Sequence, residues 1–72
     1  MKLQDAIELY NDAEKGEEHE MGRRYIAEVI FSLAKEELDP EADKQQWNMV
    51  NHFDPMEVSE AQLNRIISML EA

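Results

Sequence analysis

The chain has 72 residues, no cysteine, and 17 Asp plus Glu against 7 Lys plus Arg, for a formal charge of −10. A surplus of that size repels nucleic acid and anionic membrane, so neither is an expected direct ligand, and the missing thiols exclude disulfides and thiolate metal sites. With 43% apolar residues, two Gly and two Pro, the composition is that of a folded chain, and its length predicts a single acidic helical domain over residues 1–72.

The first expected helix covers about residues 3–15. Leu3, Ala6, Ile7, Tyr10 and Ala13 recur at the three-and-four spacing of one helical face, with Asp5, Glu8 and Asp12 opposite. Gly16 is the expected terminator, since glycine accepts the left-handed conformation beyond a last turn. The second helix, about 17–37, is the longest. Glu17, Glu18 and Glu20 favour its positive N-terminal end and Lys35 its negative C-terminal one. Tyr25, Ile26, Val29, Ile30, Leu33 and Ala34 make a broad apolar face onto which Gly22 also projects, and Ala27 and Phe31 widen it. A helix apolar around so much of its circumference is either central in the fold or shared with another chain.

Asp39-Pro40 then reads as a stop and a restart, with Asp as N-cap and Pro in the first helical position. The third helix is expected over about 40–52, carrying Ala42, Met49, Val50 and Phe53 on one side and Trp47 at the edge. Phe53-Asp54-Pro55 repeats Leu38-Asp39-Pro40 and suggests a short turn. The stronger start signal follows it: Ser59 and Gln62 have capping-box spacing, and Val58 with Leu63 makes a hydrophobic staple. The fourth helix, 60–71, puts Leu63, Ile66, Ile67 and Leu70 on one face. No alternating pattern competes, so the expected class is an all-α bundle of about four helices.

The inventory for catalysis is poor. Ser59 is accounted for as a cap, while Ser32 and Ser68 fall inside helical patterns. The histidines, His19 and His52, belong to no H-E-x-x-H or Glu-x-x-His motif, and there is no glycine-rich phosphate loop. His19 lies among Glu17, Glu18 and Glu20 and reads as a solvated residue of an acidic turn. An EF-hand alignment of Asp39 to Val50 puts Lys44 where glycine is required and Val50 in place of the bidentate Glu. Ser32-Leu33 follows Phe31 in mid-helix, unlike the Asp-Ser-Leu at a helix start that carries the prosthetic group of acyl carrier proteins. No enzymatic activity, cofactor or metal is expected.

The charge is unevenly spread. Residues 1–20 hold seven acids and two bases, 21–35 one acid and three bases, 36–44 five acids and one base, and 45–72 four acids and one base. Acid therefore gathers at both ends of the long helix. If the first helix folds back along it, Asp5, Glu8 and Asp12 bridge the two poles and join Glu17 and Glu18 in one negative stripe. Such a stripe imitates a nucleic-acid backbone. The function it suggests is a non-enzymatic inhibitor or regulator that occupies the basic surface of a nucleic-acid-binding protein. The same composition also arises from plain solvated helix faces. The competing reading is a homo-oligomeric structural or adaptor protein, possible as a homodimer through the second helix, using Phe31, Trp47 and the Met side chains as an apolar interface. The start, Met1-Lys2-Leu3-Gln4-Asp5, carries no long apolar run, so no signal peptide is expected and the expected compartment is the cytoplasm.

Overall fold

The structure, a computed structural model, describes residues 1–13 and 20–71. Four helices follow one another: α1 (Leu3–Ala13), α2 (Glu20–Glu37), α3 (Lys44–His52) and α4 (Glu60–Glu71), with no strand among the described residues. The expected helix ends at Lys15 and Glu17, and the Gly16 terminator, lie outside the described residues. The Cα radius of gyration is 11.4 Å, close to the roughly 11 Å of a tightly packed chain this long.

The core takes one stripe from each helix. Ala6, Ile7 and Tyr10 of α1 and Leu63, Ile66 and Ile67 of α4 are buried, as their spacing requires, and Val50 is the buried residue of α3. From α2 come Ala27, Ile30, Phe31 and Ala34. The sequence is misleading on this last point. Tyr25 and Val29, counted on the buried face, are exposed, and the core side of α2 is turned toward Ala27 and Phe31. Two small alanines, Ala27 and Ala34, lie on that side and let the neighbouring helices approach α2 closely, while Ile30 and Phe31 fill the space between them.

α1 runs antiparallel to α2. The Leu3 N–H at the start of α1 donates to a carboxylate oxygen of Glu37 at the end of α2, 2.8 Å away. A carboxylate there meets both an unpaired N–H and the positive end of the α1 dipole. On the other flank of α1, the Tyr10 hydroxyl donates to Asn64 Oδ1 and the Asn11 amide donates to Glu71, tying α1 to α4.

The two Asp-Pro steps behave alike at first and then diverge. Asp39 Oδ1 accepts from the Glu41 and Ala42 N–H groups at 2.8 and 3.3 Å, and Asp54 Oδ1 accepts from the Met56 N–H at 2.9 Å. Pro40 therefore follows a working cap, but regular helix does not begin there. Asp43 has φ −111° and ψ 39°, outside helical geometry, and its carboxylate turns back to the Asp39 N–H at 3.1 Å. These local side-chain bonds close a separate turn, and α3 starts only at Lys44. At the second step the turn ends with Glu57 and Val58 donating to the Asp54 carbonyl. Ser59 then caps α4 as expected, its Oγ accepting from the Gln62 N–H at 3.2 Å.

Candidate partner-binding surface

Asp5, Glu8 and Asp12 fall about 140–200° around α1 from Leu3, at 100° per residue, and all three are exposed. Glu8 and Asp12 make no hydrogen bond or ion pair with a described residue, and Asp5 accepts only a long 3.4 Å bond from the Lys2 N–H. They form a ridge about 10 Å long at 1.5 Å rise per residue. The antiparallel pairing sets by Leu3 and Glu37 places Asp12, Glu8 and Asp5 level with about residues 28, 32 and 35 of α2. Glu17 and Glu18, expected to extend the stripe, lie outside the described residues.

Two of the bases that counter this acid are engaged inside the fold. Arg23 is a buried charged residue, and its guanidinium pairs with the carboxylate of Glu60 in the first turn of α4. Arg24 Nη1 donates to the Pro55 and Val58 carbonyls at 3.1 and 2.7 Å, holding the turn that precedes α4. The base-rich stretch of α2 thus fastens the α3–α4 connection. Its signal in the sequence was only the net positive charge of residues 21–35; nothing local tells which carbonyls the two arginines reach.

The apolar candidates need correction. Phe31 was expected near a contact between chains, but it is 2% exposed and belongs to the protein's own core. It lies at one edge of the α2 core stripe, about 40° beyond Ala27 at 100° per residue, and the stripe is turned far enough that way to bury it. Trp47 is half-buried on α3, as are Met49, Met56 and Met69. Among the described residues the large apolar side chains that do reach solvent lie elsewhere: Met1 at the N-terminus, Phe53 after α3, and Tyr25 at 58%, Val29 at 45% and Leu9 at 47%. Leu9 sits about 160° around α1 from Asn11, the residue that faces α4, and so lies on the flank turned toward α2.

On α2, Tyr25 and Val29 line a shallow depression of about 420 Å³ with Glu28, Ser32, Leu33 and Glu36. Gly22 is exposed and falls on the same side of the helix. A second, more polar hollow of about 380 Å³ lies between α2 and the α3–α4 connection, where Lys35, Asn51, His52 and Asp54 gather around Ser32 and Glu28. Among the described residues no group of three or more His, Asp or Glu is placed to hold a metal ion, and no helix is long and apolar enough to cross a membrane. No protein-family model, curated protein or solved structure matches this chain.

Proposed function

We propose that this protein acts without catalysis, by occupying a basic surface of a partner, and that the partner is a nucleic-acid-binding protein whose groove it blocks. The observation that carries the reading is the α1 ridge of Asp5, Glu8 and Asp12, exposed and in no ion pair with a described residue. Its carboxylates are spaced about 5 Å apart along the helix axis, the same order as the 3.4 Å axial charge spacing of one DNA strand. With Arg23 and Arg24 engaged in the fold, a larger share of the −10 charge is presented outward.

The test is capture of partners at low and moderate salt by wild type and by Asp5→Asn/Glu8→Gln/Asp12→Asn. Wild type is expected to retain a basic protein that gives up its nucleic acid on binding, with retention falling steeply as salt rises, because surface charges are screened over about 8–10 Å. Equal retention by the neutralised variant would make the ridge a solvated face only. A homo-oligomeric adaptor is the second reading. The exposed strip of Tyr25 and Val29 favours it, in place of the buried Phe31.

A further inference from the structure

The acidic ridge and the apolar strip adjoin, and together they describe one occupant. Along α2, Gly22, Tyr25, Val29, Leu33 and Glu36 recur at three-and-four spacing on the side away from Ala27 and Ala34. Leu9 continues this strip onto the adjacent flank of α1. Beyond Leu9 stand Asp5, Glu8 and Asp12; Glu36 lies within the strip, and across it stands Glu28, with Lys35 next to it. A largely apolar floor is thus bordered by the carboxylates of the α1 ridge on one side and by Glu28 on the other, with Glu36 in its midst. Resting on the reading of the protein as an acidic binder, we infer that the α1–α2 face receives a basic amphipathic helix of the partner, whose apolar side covers Leu9, Tyr25 and Val29 while its Lys or Arg residues meet the two rims.

Charge complementarity selects this occupant over a second copy of the chain. A symmetric pair would set the acidic ridge, Glu28 and Glu36 against their own images with Lys35 alone of α2's bases exposed to offset them, since Arg23 and Arg24 are committed to Glu60 and to the carbonyls of the turn. Like charges facing each other in a contact are destabilising, whereas Lys or Arg flanking an apolar stripe satisfies floor and rims together. The dimensions also agree. α2 has 18 residues and a length of about 27 Å, enough to seat five turns of a partner helix. Gly22 offers no side chain at one end of the strip, so the partner backbone can approach closely there.

An 18-residue synthetic peptide of Leu and Lys, with Leu at three-and-four spacing, is the probe, and a scrambled peptide of the same composition is the control. Titration calorimetry at physiological salt would compare wild type, Leu9→Ser/Tyr25→Ser/Val29→Ser, and Asp5→Asn/Glu8→Gln/Asp12→Asn, with helix content followed by circular dichroism. Wild type is expected to bind the amphipathic peptide at least about tenfold more tightly than the scrambled one, since burial of the apolar side chains is available only to the former. The serine variant should lose that preference, and the neutralised variant should weaken for both peptides. Equal binding of both peptides by wild type would overturn the helix-docking inference and leave the acidic-binder reading standing. Failure of both peptides to bind, or no loss on neutralising the ridge, would overturn that reading as well. A wild type that sediments as a dimer, made monomeric by Val29→Asp, would show that a second copy covers the strip.

Discussion

The two sides of α2 use similar residues for opposite ends. Inside, Ala27, Ile30, Phe31 and Ala34 disappear into the core; outside, Tyr25 and Val29 remain about half exposed beside Glu28 and Glu36. Hydrophobicity alone does not separate the two sets, because Ile30 and Val29 are neighbours in the chain and nearly equal in apolar character. Residue size does. Other helices can close only on the side where two alanines make room, and the side bearing Tyr25 is left for solvent or for another molecule. α2 packs against all three other helices and still leaves one apolar side uncovered.

Substitutions on the two sides should differ most sharply at Phe31. Phe31→Ala removes a buried ring and leaves a cavity, at a cost of about 3–5 kcal/mol, a large share of the stability of a domain this size. Urea unfolding would read this as a loss of most or all of the folded baseline. A charged residue at Phe31 cannot report on self-association, since it would unfold the chain first. On the flank of α2, Arg24→Ala deletes the charge-assisted bonds to Pro55 and Val58 and should cost about 1–3 kcal/mol. Its cost shows that α2 also organises the connection to α4.

These two residues mark where sequence and structure part. Residues 3–13 and 60–71 were legible because each carries a single apolar stripe with acids or polar residues opposite, so only one orientation buries it. Ser59 was legible because capping needs only the next three residues. The orientation of α2 was not, because its apolar arc is wide enough to satisfy several rotations and the choice among them is made by neighbours far away in sequence. The start of α3 was misplaced for the reverse reason. Asp39 gives a true cap, but Asp43 competes for the Asp39 N–H and closes the turn before regular helix begins. Of the candidate surface, the α1 ridge was visible in the spacing of its acids; its apolar border at Leu9, Tyr25 and Val29 depends on the rotation of α2 and was not.

Smaller effects sharpen the contrast. Ser59→Ala should cost about 1 kcal/mol through loss of the Gln62 N–H bond, seen as a lower urea midpoint with an unchanged slope. Tyr25→Ser and Val29→Ser, on the outer side, should each change stability by no more than about 0.5 kcal/mol. A loss at Val29 approaching that of Phe31→Ala would mean that the outer strip is covered in the free protein.

The most direct measurement is a two-dimensional NMR titration of the labelled wild-type protein with the basic amphipathic Leu/Lys peptide. The account predicts that perturbations gather at Leu9, at Gly22, Tyr25, Val29 and Glu36, and along the Asp5–Asp12 ridge, while Ile66, Ile67 and the Ser59 cap stay unmoved. Perturbations centred instead on Asn51 to Pro55, with Tyr25 and Val29 unchanged, would contradict it and move the partner surface to the opposite flank of α2.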